Sequence, residues 1–348
     1  MANTDIGESG MDRAQGEVTG RETSAQGASD AARPDSQMQD VLDQLVALGG
    51  KPIETLNAPE ARAQPTPTDA VKTLLAEQGK SAEPPPGVRL VAIEIPGAAG
   101  PMPTNIYTPD GDGPFPVIVY YHGGGWVIAD KDVYDGGARA LAMMAKAVVV
   151  SPNYRLAPEH KFPAAHDDAL ATYQWAVANA TSIHGDPARV ALAGESAGGN
   201  LALATAIAAR DGGLQQPLAV VSVYPIASGD TSSSSYSEHA NAKPLNRAMM
   251  SWFLDKYART PADLKDPRIN LVAADLSGLP PVTIINAQFD PLRSDGETLA
   301  GKLHDAGVTA QQKTFPGVTH EFFGMGLVVD TAKRAEQLAA KAFEEAFQ

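Results

Sequence analysis

The chain contains no cysteine, so neither disulfide bonds nor thiolate metal sites can form. It also lacks an apolar run of about 18 residues, the length that a membrane-spanning helix needs. Its first residues are polar and acidic, unlike a signal peptide. Basic residues are scarce, with 27 Lys and Arg against 41 Asp and Glu, and the net charge of −14 opposes binding to nucleic acid or anionic membranes. We therefore expect a cytoplasmic protein that binds neither nucleic acid nor membranes.

The composition divides the chain into three parts. Residues 1–36 are rich in Gly, Ser and acidic residues and poor in large apolar ones, which predicts a disordered tail. Residues 37–86 contain short amphipathic helical patterns separated by proline-rich links. Residues 87–348 alternate strand and helix patterns and are predicted to form the main domain. An insertion at 226–275 is expected to join the N-terminal helices in a cap.

The strand patterns of the main domain indicate its fold class. Residues 115–125 and 188–194 are near-continuous apolar runs, which are typical of strands buried on both faces of a mostly parallel sheet. Further strand patterns lie at 88–96, 104–109, 147–154, 218–225 and 281–290. Helical patterns lie at 38–48, 67–79, 163–180, 197–210 and 294–306. The sequence therefore predicts an α/β fold whose sheet has helices on both sides.

A serine with a glycine two residues before it and another two residues after it stands between a strand pattern and a helix pattern. In GESAGG, at 194–199, the glycines would relieve the crowding of a sharp strand-to-helix turn that exposes the Ser196 hydroxyl. The amino end of the helix favours developing negative charge nearby. GES also occurs at 7–9, without a strand, a helix or the second glycine, and we predict that this copy is inert. An ordinary glycine-rich turn is the alternative for Ser196.

Three consecutive glycines occur in YYHGGGW, at 120–126, at the end of a strand pattern. Glycine runs are entropically costly, so the backbone there is expected to approach something closely. A phosphate-binding loop would require a following Lys-Ser or Lys-Thr, which is absent. The pattern instead favours an oxyanion hole, in which glycine N–H groups of this loop join the N–H of Ala197. We expect His122 to orient the loop rather than to act as a base.

An activated serine needs a histidine as its base. His239, His304 and His320 are the histidines that follow Ser196. His239 lies in the serine-rich insertion, and His304 lies in a helix pattern just before a glycine stop. His320 follows a strand pattern at 309–317 and precedes the final helix, which is where this chemistry places its base. We predict that His320 is the base.

A carboxylate must hold that histidine in the correct tautomer. Asp290 ends an apolar strand pattern, where α/β sheets place their ligands and catalytic groups. Asp295 and Glu297 instead begin the next helix pattern, where carboxylates usually cap. Asp290 is therefore the predicted partner of His320.

Five segments together resemble the hormone-sensitive-lipase-like esterases of the α/β-hydrolase fold. They are HGGGW, YRLAPEHKFPAA, GESAGGN, DPLRSDGE and GVTHEF, and the similarity runs from about residue 88 to the C-terminus. The chain resembles the bacterial members that carry an acidic residue before the nucleophile. The resemblance implies an α/β-hydrolase catalytic domain with a helical cap, and ester hydrolysis through an acyl-enzyme. It also implies that no cofactor or metal is used.

The family pattern carries over to this chain residue by residue. It implies a triad of Ser196, Asp290 and His320 and an oxyanion hole made by Gly124, Gly125 and the backbone of Ala197. The family's YRLAPE…DD stretch contains Arg155, Glu159 and Asp168, and we expect these side chains to form structural ion pairs. One departure is Ser294, where many members have Asp, and we expect it to matter little.

Other functions on the same scaffold stay open at this point. An amidase or peptidase would use the same residues. A non-catalytic ligand-binding relative, like some plant hormone receptors, typically loses a triad member, whereas this chain keeps all three. Haloalkane dehalogenases and epoxide hydrolases require Asp in place of Ser196 and are excluded.

The predicted partner is a small ester. The helix pattern AMMSWFLDKY, at 248–257, offers an apolar wall that would suit short to medium acyl chains. We predict substrate contacts from Met250 and Phe253 of this pattern and from Trp126. A homodimer formed through a free sheet edge is implied by family analogy alone.

Overall fold

The computed structural model describes residues 33–348. The predicted disordered tail therefore lies outside the described residues except for its last few. Asp35 already belongs to folded structure, because its side chain accepts a hydrogen bond from the Met38 N–H and caps the first helix. No helix within the described range is both long enough and apolar enough to cross a membrane.

Within residues 33–348, three α-helices precede the sheet: α1 (Ser36–Ala47), α2 (Ala58–Arg62) and α3 (Pro67–Glu77). Asn57 and Thr66 begin α2 and α3 with reciprocal side-chain and backbone hydrogen bonds, and each is followed by proline in the first turn. The sequence predicted α1 and α3 to within two residues. It did not predict α2, because a five-residue helix is too short to show periodicity.

In the described part of the chain, eight strands form one sheet. They are β1 (Val88–Gly97), β2 (Gly100–Pro109), β3 (Phe115–Tyr121), β4 (Val148–Pro152), β5 (Gly185–Glu195), β6 (Val220–Val223), β7 (Val282–Phe289) and β8 (Ala310–Thr319). Their order is β1-β2-β4-β3-β5-β6-β7-β8. The pairs β1–β2 and β2–β4 are antiparallel and all the others are parallel, which confirms the predicted mostly parallel sheet.

Helices cover both faces of this sheet. The remaining helices are α4 (Asp135–Met144), α5 (Ala164–Asn179), α6 (Ala197–Asp211), α7 (Ser234–Glu238), α8 (Arg247–Tyr257), α9 (Arg293–Asp305) and α10 (Asp330–Ala346). Alternate residues of β3 enter two separate cores, because successive strand side chains point to opposite faces. Val117 and Val119 belong to the core that also contains residues of α5, α6, α8 and α9, whereas Ile118 and Tyr120 belong to the core that contains residues of α1, α3, α4 and α10.

The parallel strands bring four loops to one edge of the sheet. The loop that contains residues 123–125, here called the glycine loop, follows β3. Ser196 follows β5, Asp290 follows β7, and His320 follows β8. Since the carboxyl ends of parallel strands meet at the same edge, residues far apart in the chain become neighbours there. The helices α1 and α8 lie over this edge and contribute to the wall of the cavity described below.

Candidate active site

Ser196 occupies a strained turn between β5 and α6. Its backbone angles are φ 56° and ψ −116°, a conformation that residues other than glycine rarely adopt. Its N–H donates to the Val223 carbonyl at 2.8 Å. A Cβ at Gly198 would overlap the Tyr121 carbonyl oxygen, and a Cβ at Gly194 would overlap the Gly198 carbonyl. Both glycines are therefore required for the turn that presents the serine.

The structure brings the three predicted triad residues together. The Ser196 Oγ lies 3.0 Å from the Nε2 of His320, and the Nδ1 of His320 lies 2.7 Å from the Oδ2 of Asp290. The second Asp290 oxygen accepts the Leu292 N–H at 2.8 Å. All three side chains are buried. With Nδ1–H donating to the carboxylate, Nε2 is left free to accept the serine proton, as a general base must.

The other two candidate histidines lie elsewhere. The Nε2 of His239 faces the Arg293 guanidinium at 3.2 Å, and His304 is exposed near the end of α9. The rejected carboxylate Asp295 accepts the backbone N–H groups of Ala227 and Ser228 instead of meeting a histidine. Asp295 therefore anchors the start of the insertion.

The electrostatic surroundings of His320 favour its protonated form. Burial by itself would lower the pKa of the imidazole. The attraction and the hydrogen bond of Asp290, with a smaller contribution from Glu321, outweigh burial and raise the pKa of His320 above its ordinary 6.5. A more basic imidazole accepts the serine proton more readily.

Three backbone amides near Ser196 have no hydrogen-bond acceptor in the part of the chain that the structure describes. The N–H groups of Gly124, Gly125 and Ala197 donate no hydrogen bond to any residue within 33–348. Gly124 and Gly125 have φ of 91° and 59°, and the Gly124 carbonyl accepts the N–H groups of Val127 and Ile128. The Gly124 carbonyl thus fixes the loop, while the N–H groups of Gly124 and Gly125 make no hydrogen bond to the described residues.

His122 lies behind this loop rather than beside Ser196. Its Nδ1 lies 2.8 Å from the Gly123 carbonyl, and its ring stacks on Tyr154 with centroids 4.2 Å apart. Burial lowers the pKa of His122 to about 4, so the ring is neutral near pH 7 and donates its Nδ1–H to that carbonyl. This geometry fits the expected orienting role.

A cavity of about 590 Å³, here called the front cavity, opens above the triad. Ser196, His320, Gly124 and Gly125 lie in its wall. Its apolar side is formed by residues of α1 and of α8 with the turn before it, namely Leu42, Leu45, Leu245, Met249, Met250 and Phe253. The N-terminal helices and the insertion therefore both roof this cavity. Its volume and apolar lining are those of a small-molecule site.

The structure does not place Trp126 in the front cavity, which corrects the predicted substrate contact. Its side chain is fully buried and stacks on Tyr257, with ring centroids 4.3 Å apart. The left-handed backbone of Trp126 (φ 61°) follows from the glycine loop before it. Trp126 therefore packs beneath α8 and supports the cavity from behind.

The YRLAPE…DD stretch forms two ion pairs. Arg155 and Asp168 make a two-pronged contact at 2.8 and 3.0 Å, as expected. Glu159 instead pairs with Arg62 of α2, at 2.7 and 2.8 Å, and Arg62 also donates to the Val127 and Ala157 carbonyls. Sequence reasoning missed Arg62, because no local pattern links positions this far apart. This contact ties the N-terminal helices to the loop after the glycines.

Comparison with known proteins agrees with this geometry. A family model described as the α/β hydrolase fold matches residues 118–324. Carboxylesterase NlhH of Mycobacterium tuberculosis is 40% identical over 235 residues, covering 66% of this chain and 74% of that protein. Ethyl acetate hydrolase of Pseudomonas putida is 34% identical over 313 residues, covering 87% and 96%. A solved esterase of Pyrobaculum calidifontis superposes with a TM-score of 0.80 at 34% identity, covering 90% of this chain and 100% of that one.

Proposed function

Since the chain belongs to the α/β-hydrolase family, among its hormone-sensitive-lipase-like carboxylic ester hydrolases, we propose that it cleaves short- to medium-chain esters through an acyl-enzyme. One observation carries the proposal: the unbroken hydrogen-bond chain from the Ser196 Oγ through His320 to Asp290, in the wall of the front cavity. Matched p-nitrophenyl ester and p-nitroanilide substrates test it. An esterase turns over the ester far faster, and comparable rates would indicate an amidase.

In the first half of the reaction, the Nε2 of His320 takes the Ser196 proton as Oγ attacks the ester carbonyl carbon. The carbonyl oxygen becomes an oxyanion within reach of the free N–H groups of Gly124, Gly125 and Ala197. Nε2–H then protonates the leaving alkoxide, and the acyl group stays on Oγ. Asp290 stabilises the imidazolium throughout.

The preferred acyl length is expected to follow from the walls of the front cavity. Each added methylene gains up to about 0.8 kcal/mol until the apolar space is full, which is roughly a fourfold rise in kcat/KM. We expect an optimum between about two and eight carbons, measured on p-nitrophenyl acetate to palmitate. Emulsified long-chain triglyceride should show no interfacial rise in rate. A maximum at palmitate, or strong triolein turnover, would contradict this.

A pair of variants connects this optimum to α8. Phe253→Ala removes a ring from the cavity wall and should move the optimum to longer chains. Met143→Ala is the matched control, because Met143 belongs to α4 and lies in the wall of a different cavity. Its acyl profile should equal that of the wild type.

The pH dependence of kcat/KM is expected to report His320. The base works only when neutral, and its pKa is raised by Asp290, so activity should be lost as pH falls and should have its acid midpoint above 6.5. Asp290→Asn removes the main cause of the rise and should move that midpoint to lower pH while lowering the plateau. The measurement is kcat/KM from about pH 5 to pH 9. A flat profile, with chemistry shown to be rate-limiting, would refute this assignment.

A further inference from the structure

A second carboxyl group faces His320 from the side opposite to Asp290. The Oε1 of Glu321 lies 3.8 Å from Nε2, the nitrogen that also contacts Ser196. Glu321 follows His320 directly in the chain and adopts φ 69°, a left-handed conformation uncommon for this residue type. We propose that Glu321 is a positioning residue that holds the hydrolytic water against Nε2 while the acyl-enzyme is hydrolysed. This inference rests on the proposed function.

Tyr134 holds the Glu321 carboxyl in this position. The Tyr134 hydroxyl lies 2.7 Å from both carboxyl oxygens, and the phenol ring is itself buried. Tyr134 precedes α4 and packs next to Gly123 of the glycine loop. Tyr134 packs against the glycine loop and Glu321 directly follows His320, so their contact keeps the Glu321 carboxyl group beside Nε2.

Glu321 also separates two cavities. A second cavity of about 580 Å³, here called the rear cavity, lies between α3, α4 and the start of α10. Val133, Tyr134 and Glu321 belong to the walls of both cavities. During hydrolysis the acyl chain fills the front cavity. A water molecule that comes from the rear cavity along Glu321 does not have to pass the acyl chain.

The distance between Oε1 and Nε2 suits a shared water molecule. A water oxygen can lie at hydrogen-bond distance, about 2.8 Å, from two atoms that are themselves 3.8 Å apart. Such a water donates one hydrogen to Oε1 and the other to Nε2. Both lone pairs of the water oxygen are unused by these contacts, and one of them can attack the acyl carbonyl carbon.

The step balances without any other reactant. The water oxygen bonds to the acyl carbon as Nε2 takes one water proton, and the resulting oxyanion collapses by breaking the bond to the Ser196 Oγ. Nε2–H returns its proton to Oγ, and the carboxylic acid leaves. Glu321 accepts a hydrogen bond throughout and is not consumed. Acylation involves no water, so the loss of Glu321 should affect the first half-reaction only through its small contribution to the pKa of His320.

The test separates the two half-reactions with esters that share one acyl group: p-nitrophenyl, phenyl and ethyl butyrate. For Glu321→Leu we expect kcat to fall at least about 10-fold and KM to fall by the same factor, so that kcat/KM stays within about threefold. The kcat values for the three esters should converge, and butyryl-enzyme should accumulate in intact-mass spectra. Glu321→Gln keeps an acceptor oxygen and nearly the same shape, and its kcat should lie between those of Glu321→Leu and the wild type.

Glu336→Gln is the matched control. Glu336 is a buried glutamate of α10 that accepts the Gly326 N–H and does not contact His320, so kcat and KM should stay at wild-type values. The proposal is overturned if Glu321→Leu lowers kcat/KM in parallel with kcat, or if it keeps the wild-type kcat. If the wild type forms no butyryl-enzyme and Ser196→Ala retains its activity, the proposed function itself fails. That result does not depend on how kcat/KM of Glu321→Leu compares with kcat/KM of the wild type.

Discussion

Replacing Ser196 or His320 with alanine is expected to lower kcat about a millionfold, because the triad acts as a unit and either loss removes the whole proton-transfer chain. Asp290→Asn should cost about 10⁴, because the amide no longer holds the imidazole in the tautomer that accepts the serine proton. The measurement is kcat on p-nitrophenyl butyrate, with residual rates compared against the uncatalysed reaction.

Two matched variants show that the loss belongs to these positions. His304→Ala removes an exposed histidine of α9, and Ser9→Ala removes the serine of the second GES sequence. Both should keep wild-type kcat. A fluorophosphonate probe should label the wild type and both controls but not Ser196→Ala, and the labelled peptide should contain residue 196. A folded His320→Ala protein with full activity would disprove the triad.

The second large effect is expected at the glycine loop. A Cβ at Gly124 would overlap the Ile128 carbonyl oxygen, and the residue has φ 91°, so Gly124→Ala must displace the loop and its N–H groups. The loss of one oxyanion donor typically costs about 10²–10³ in kcat. We expect a fall of that size with little change in KM, because these amides bind the transition state more strongly than the ester.

Gly213→Ala is the control for backbone strain. Gly213 has φ 64°, just beyond the end of α6, and a Cβ there would meet no atom within 4 Å. It should cost about 1–2 kcal/mol of stability, from the left-handed backbone alone, and leave kcat unchanged. If both variants lose stability equally and neither loses activity, Gly124 does not shape the oxyanion hole.

Much of this protein follows from local sequence patterns. Near-continuous apolar runs predicted the buried strands, because a strand covered by helices on both faces has no polar side to display. The spacing of Gly194, Ser196 and Gly198 predicted the turn, because a side chain at either glycine would collide with backbone. Asp290 and His320 were predicted from their positions after strands, since the topology of a parallel sheet gathers those positions at one edge.

Other features were decided only by contacts between distant segments. Trp126 follows the glycine loop directly, yet it is buried rather than in the cavity wall, because Tyr257 of α8 stacks on it. The pairing of Arg62 with Glu159 likewise has no local signal.

The contact between Tyr134 and Glu321 joins residues 187 positions apart. Glu321 stands next to His320 in the sequence, but its orientation towards Nε2 depends on a left-handed backbone angle and on a tyrosine from the start of α4. The sequence by itself determined which residues we propose for the chemistry, since their types and spacing are local. Only the tertiary structure decided which side chains surround the imidazole and the cavity, because that depends on how separate elements pack.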